Sequence, residues 1–361
     1  MSTVSEPLAP SAAARAVRVT RSRRRTWWLG LLALAGVAVL GFLPYVAFSS
    51  TTNLLVNVFI LIIMASMWNL LAGYAGLVSV GQQAFIGLGA YSILIFAQHG
   101  VNPFLGLPLA VLVTAVIGVP AWWLVSRLRT AYFAIATWVI ASVCYLLIVR
   151  FPSLGGGTGT EIPGALLTMN SNLRLAYTYW AALIVLVASV GGIYILLRSR
   201  IGLVLTAVRD DEIAARSSGG RVGRIQQIVF VVAAAGCGGA GALLAISQLN
   251  VEPTAAFSVL FSAQMIFATI IGGIGTIEGP IIGAIIFYAL QQSLASHGAW
   301  YFIILGLVAI AVALWARRGL WGLLADRLNI RVFPVGYWLW PPGQGRRHAT
   351  QDRTSPKPGS P

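Results

Sequence analysis

The chain has 361 residues, 58% of them apolar and only 9% charged, with a formal net charge of +15. This balance excludes disordered, collagenous and ordinary water-soluble globular chains and points to a multi-span membrane protein; the lack of alternating apolar and polar residues excludes an outer-membrane barrel. The basic excess requires either a nucleic-acid partner or a topology that collects arginine on one membrane face, and its placement decides between them.

In chain order, stretches long enough to span run over 27–48, 54–72, 79–98, 105–126, 131–149, 175–197, 225–247, 258–276, 280–296 and 299–316, judged against about 20 residues for a hydrocarbon core of about 30 Å. The predicted fold is an all-α polytopic membrane protein of about ten transmembrane helices with interrupted Gly-rich segments. Arg21, Arg23, Arg24 and Arg25 precede a first run too long for a signal peptide, so it reads as a retained span. An even span count puts both termini on one side. Residues 1–26 then carry six Lys or Arg, 127–130 two, 198–224 six and 317–361 eight, leaving only Arg150 and Arg174 opposite. That is the positive-inside pattern with both termini cytoplasmic, and arginines dispersed through loops give no support to nucleic-acid binding. The predicted organisation is a disordered basic tail at 1–26, a transmembrane domain at 27–316 with a long cytoplasmic loop at 198–224, and a cytoplasmic C-terminal tail at 317–361.

The chemistry the chain lacks narrows its function. A phosphate-binding loop of the GxxxxGK[ST] kind needs a lysine, and the only lysine, Lys357, lies between prolines in the tail. Proton coupling needs a carboxylate or histidine at membrane depth. Glu161 and Glu252 fall instead in outer loops, Asp210, Asp211, Glu212 and Asp326 in inner ones, and Glu278 at an inner turn. His99, His297 and His348 form no ligand group with each other, and Cys144 and Cys237 stand singly in apolar stretches, so neither a metal site nor a disulfide framework is expected. No GxSxG or HExxH pattern occurs. The expectation is a non-enzyme, a pore or permease with no cofactor of its own.

Two Gly-rich interruptions stand out. Residues 68–92, WNLLAGYAGLVSVGQQAFIGLGAYS, hold Gly73, Gly76, Gly81, Gly87 and Gly89, and residues 272–284, GGIGTIEGPIIGA, form a second break in the opposite half. Paired breaks mark a transport path, because unwound backbone is tolerated in a membrane only where protein or a watery cavity surrounds it. Close packing through small residues is the alternative. Ser79, Gln82, Gln83 and Tyr91 supply uncharged donors and acceptors for a small polar solute, with Asn57, Asn69 and Thr137 as further lining or as helix-to-helix hydrogen bonders. The inner loop carries a short helix: Asp210 or Asp211 can cap its start, Glu212 and Arg216 stand four apart, and Gly219 and Gly220 can end it. Two turns are marginal in water, so this helix either lies on the membrane surface or is held by a partner protein.

Taken together, these segments resemble the LivM-type permeases of bacterial ABC importers for branched-chain amino acids. A family stretch like AGxxSLGxxAFxGxGAY is met by Ala75, Gly76, Ser79, Gly81, Ala84, Phe85, Gly87, Gly89, Ala90 and Tyr91. The inner-loop pattern AxRDNExAAxxxG is met by Ala207, Arg209, Asp210, Glu212, Ala214, Ala215 and Gly219. AGxAGAL is approximated by Gly238, Ala240, Gly241, Ala242 and Leu243. GGxGTxxGPxxGA is met by Gly272, Gly273, Gly275, Thr276, Gly279, Pro280, Gly283 and Ala284. The likeness covers about residues 50–320, and the family often has lysine where this chain has Gln226. The resemblance implies a multi-pass protein of the bacterial plasma (inner) membrane. It would pair with a second permease subunit, two cytoplasmic ATP-binding subunits that bind and hydrolyse the ATP, and an extracytoplasmic solute-binding protein. It makes the 198–224 loop the coupling loop on which the ATPase docks, through Arg209, Asp210, Glu212, Ala214, Ala215 and Gly219. The expected substrate path includes Gly76, Ser79, Gly81, Gln82, Gln83, Phe85, Gly89, Tyr91, Gly272, Gly273, Gly275, Thr276, Gly279 and Pro280. The expected cargo is a branched-chain or other hydrophobic amino acid. The alternatives are a related permease for amides, urea or sugars, and, in a different class, a passive channel or sodium-coupled carrier.

Overall fold

The computed structural model describes residues 35–45, 48–128, 130–164, 169–210, 222–294, 300–315 and 319–328, all within one compact unit, Leu34–Phe333. The expected tail at 1–26 lies outside the described residues.

The helices are α1 (35–45), α2 (Ser49–Asn69), α3 (Gln83–Gln98), α4 (Pro103–Val125), α5 (Thr130–Val149), α6 (Ser171–Arg198), α7 (Arg200–Asp210), α8 (Val222–Gln248), α9 (Pro253–Ala256), α10 (Val259–Gly272), α11 (Glu278–Leu294), α12 (Trp300–Trp315) and α13 (Gly319–Leu328). Polar residues set several of their starts. Asn102 accepts from Phe104 N ahead of Pro103 at the head of α4, Asn170 accepts from Asn172 N at α6, and Ser258 accepts from Leu260 N at α10. Each satisfies an amide that the first helical turn leaves without an internal partner.

All ten expected spans contain a helix, but among the described residues six helical segments are both long and apolar enough to cross a membrane unaided. The expected span 79–98 is corrected by the structure: the helix begins at Gln83, and its 16 residues reach only about 24 Å at 1.5 Å per residue. The preceding residues 75–82 are not helical, so α3 is too short to span alone and is a half-helix. The expected span 258–276 likewise ends early, at Gly272. Within the stretch expected to be a C-terminal tail, α13 folds against α10 and α11.

Burial separates centre from periphery. In the most apolar window of α2 83% of residues are buried, and in α8 72%, against 17% in α5 and 22% in α6. Helices apolar all round belong in an interior, and α2 has no polar face to give up. α8 packs against α3, α4 and α2, while α2 also holds α6 on one side and α10 and α11 on another. α4 shows how one helix serves two surroundings. Leu105, Leu109, Leu112, Val116, Val119 and Trp123 form an exposed apolar stripe, and Ala110, Thr114, Gly118 and Ala121 are buried on the other face. Bulk faces outward and small residues let the helices approach, the arrangement expected where lipid and protein are equally apolar.

Two short strands, β1 (Thr160–Glu161) and β2 (Asn250–Val251), pair antiparallel with Thr160 opposite Val251. They tie the loop before α6 to the end of α8.

Candidate functional site

The first break starts inside a helix. After Asn69 the backbone widens into a π-helical turn, Leu70–Tyr74, a distortion that tends to mark functional positions. The chain then runs without helix to Gln82. Gly76 sits at φ +69° and is exposed, with nothing within 4 Å of where a Cβ would stand, so its requirement is conformational. The unwound backbone is held from three sides. Trp68 Nε1 donates to Ser79 O at 2.8 Å, Val80 N donates to Thr137 Oγ1 at 3.3 Å, and Gln226 Nε2 donates to Ala75 O at 3.4 Å.

Ser79, Gln82 and Gln83 are all at most 1% exposed. Ser79 Oγ accepts from Gly81 N and from Gln82 Nε2, each at 3.3 Å. Gln83 Oε1 accepts from Ser262 Oγ of α10. Gln82 Oε1 and Tyr91 OH, both buried, have no hydrogen-bond partner. An orphaned buried polar group costs roughly 1–3 kcal/mol; Gln82 Oε1, just ahead of α3, and Tyr91 OH, nine residues further on, each keep unused capacity to hydrogen-bond. A cavity of about 230 Å³ is lined by Gln83, Trp138, Ala141, Ser142, Tyr145, Thr254 and Phe257. It is smaller than the roughly 300–1,000 Å³ typical of drug-sized ligand sites, so it suits a small solute. Tyr91 stacks on Phe257 with ring centroids 6.1 Å apart.

Other residues expected on the path pack closely against neighbouring helices. Phe85 is 2% exposed and meets Phe230 edge-on at 5.7 Å, within an aromatic cluster completed by Trp122 and Phe133. A Cβ on Gly89 would lie 2.7 Å from Gly238 Cα, and one on Gly81 would lie 2.8 Å from Trp138 N. Gly89 is thus the crossing point of α3 and α8, and Gly81 lets the break press against α5. Asn57 is half-buried and bonds back to Asn53 O within its own helix.

The second break is a tight turn between α10 and α11. Gly272 ends α10, Gly273 and Gly275 have φ of +127° and +77°, and Gly279 and Pro280 are buried in the first turn of α11. Thr276 Oγ1 donates to Gly273 O at 2.9 Å and accepts from Gly279 N at 3.0 Å, closing the turn on itself. Asn69 joins the two breaks: its Oδ1 accepts from Gly275 N and its Nδ2 donates to Thr276 O, both at 2.7 Å.

In the inner loop Asp210 is the last described residue of α7, Arg200–Asp210, and the short helix expected to start at it or at Asp211 falls on residues 211–221, outside the described residues. Leu205 and Val208 bury one side of α7, while Leu203, Ala207 and Arg209 stay exposed, so helix is already stabilised before the acidic run. Asp211, Glu212, Ala214, Ala215 and Gly219 lie outside the described residues. Arg209 is described, and its Nη1 donates to Gly275 O at 3.1 Å.

Ser262, Trp138, Tyr145, Thr254 and Phe257 line or support the site but were not singled out in the sequence. The only available signal was spacing: Trp138, Ala141, Ser142 and Tyr145 share one face of α5.

Among curated proteins, the chain is 27% identical over 329 residues to the "High-affinity branched-chain amino acid transport system permease protein LivM" of Salmonella typhimurium, covering 84% of this chain and 77% of that protein. The protein of the same name from Escherichia coli K12 matches with the same identity and coverage. The "Fructose import permease protein FrcC" of Rhizobium meliloti is 26% identical over 238 residues, 61% of this chain and 65% of that protein. The family model described as "Branched-chain amino acid transport system / permease component" matches residues 50–314. With its apolar helices and two glycine-rich breaks, the chain is a multi-pass membrane protein and belongs to this family of transport permeases.

Proposed function

We propose that the chain is the transmembrane permease subunit of an ABC importer, passing branched-chain or other hydrophobic amino acids across the bacterial plasma (inner) membrane with ATP hydrolysed by partner subunits. The observation that carries the reading is the first break: an unwound segment that ends at Gln82, whose buried Oε1 is unpaired, and leads into a half-helix bearing the unpaired Tyr91 OH, with a small cavity walled by Gln83, Tyr145, Phe257 and Trp138. Apolar rings with a few polar atoms suit a solute that combines an aliphatic side chain with hydrogen-bonding groups. The absence of a phosphate-binding lysine and of membrane-depth carboxylates in the sequence leaves the energy to come from elsewhere. Partner ATPases supply it in this reading, with a second permease and an extracytoplasmic solute-binding protein completing the assembly. The one-sided distribution of arginine supports cytoplasmic termini and a cytoplasmic 198–224 loop.

The likeness to a fructose permease favours one other reading, a sugar as cargo. Reconstitution tests both. The chain alone in liposomes is expected to take up nothing, and the complete complex is expected to take up leucine, isoleucine or valine only with ATP. Uptake of fructose but of no amino acid supports the second reading, and uptake by the chain alone on a proton or sodium gradient defeats both.

A further inference from the structure

The described parts of the inner loop, α7 at its start and the first turns of α8 at its end, each bond to a different helix break. At its start, Arg209 Nη1 donates to Gly275 O at 3.1 Å in the second break. At its end, Gln226, buried in the first turns of α8, donates from Nε2 to Ala75 O at 3.4 Å in the first break. Val208 and Val222 pack together with Val204, so the two anchors are held side by side. Asn69 then ties the breaks to each other through Gly275 N and Thr276 O.

Three backbone polar groups of two adjacent residues, Gly275 N, Gly275 O and Thr276 O, are therefore gripped from two directions. Gly275 has φ +77°, and the Arg209 guanidinium lies so near that a Cβ there would be 2.9 Å from its carbon. A glycine in this conformation has no side chain to resist rotation of the flanking peptides. The Arg209 bond is charge-assisted, so it is the stronger of the two anchors.

We infer that Arg209 and Gln226 are positioning residues that transmit displacement of the inner loop directly to the backbone of the two breaks, and that Arg209, although exposed, acts on Gly275 through its guanidinium and is not needed to hold the ATPase. Rotation of the Gly275 peptide moves Asn69, and with it the π-helical turn that leads to Ser79 and Gln82. The inference rests on the import reading above and deepens it: both breaks answer to the same loop.

The test uses the complete complex in proteoliposomes, scoring ATPase retention, ATP hydrolysis and solute uptake per ATP. Arg209→Ala is expected to retain the ATP-binding subunits and their hydrolysis while uptake per ATP falls by roughly 5- to 150-fold, the usual range for coupling between two sites. Arg209→Lys, which keeps a charged donor, should restore part of the loss. Because Arg209 and Asn69 act on the same peptide, the Arg209→Ala/Asn69→Ala double variant should be no worse than the poorer single one. Loss of ATPase retention in Arg209→Ala, normal uptake per ATP, or multiplied losses in the double variant would each overturn the inference. A wild-type complex without ATP-linked uptake would instead defeat the import reading, and this inference with it.

Discussion

Both breaks are glycine-rich and meet at Asn69, yet they solve opposite problems. Around the second, Thr276 folds the turn onto Gly273 and Gly279, while Asn69 and Arg209 take up the amide and carbonyl of Gly275. Around the first, the backbone is held by Trp68, Thr137 and Gln226, but two buried polar side-chain atoms, Gln82 Oε1 and Tyr91 OH, are left without partners. A turn whose polar groups are paired is a joint that can pivot and return. Buried acceptors and donors without partners cost stability and leave the first break with hydrogen-bonding capacity that the second lacks. Glycine density alone makes the two look equivalent; the hydrogen-bond pattern distinguishes them.

The most severe way to break this comparison is to remove the frame of the first break. Gly89→Leu drives a side chain into the backbone of Gly238, which cannot swing aside. The cost should exceed the roughly 1–3 kcal/mol usual for overpacking, and folded protein should be lost from size-exclusion profiles in detergent. A well-folded Gly89→Leu protein that fails only in transport would place Gly89 on the path itself.

A smaller effect is expected at the second break. Gly275→Ala should cost about 1–2 kcal/mol for an L-residue held in the left-handed region, and it also displaces the Arg209 guanidinium. Melting temperature and uptake per ATP should both fall. If both stay at the wild-type level, the second break is not a joint under load.

The smallest change in stability, with the opposite sign, sharpens the contrast. Gln82→Leu removes an unpaired buried acceptor and gives up one 3.3 Å bond to Ser79, whose Oγ still accepts from Gly81 N. Stability should stay level or rise by up to roughly 1–3 kcal/mol, whereas solute uptake falls or its selectivity shifts. A destabilised variant with normal uptake would make the first break a structural joint like the second.

Much of this was legible in the sequence because hydropathy and glycine content act locally. A span announces itself over about 20 consecutive residues, and GGIGTIEGPIIGA announces a turn within 13 letters. The end of the half-helix at Gln83 was less legible, since Leu77, Val78 and Val80 are as apolar as the helix that follows them. The aromatic wall of the cavity was hidden for a different reason: Phe257 and Tyr145 reach Tyr91 and Gln83 from distant parts of the chain, and nothing in their own neighbourhoods marks them.

The sequence by itself determined that the chain belongs in a membrane, roughly where its helices run, that two segments would break, and to which family it is related. Each of these follows from composition over short windows or from residue order. Only the tertiary structure decided that Asn69 joins breaks 206 residues apart, that Arg209 bonds to Gly275 O, and that Gly89 supports a helix crossing while Gln82 keeps an acceptor free. Those roles depend on which backbone groups a side chain meets across the fold, and a hydrogen bond or a close contact between remote residues leaves no periodic trace along the chain.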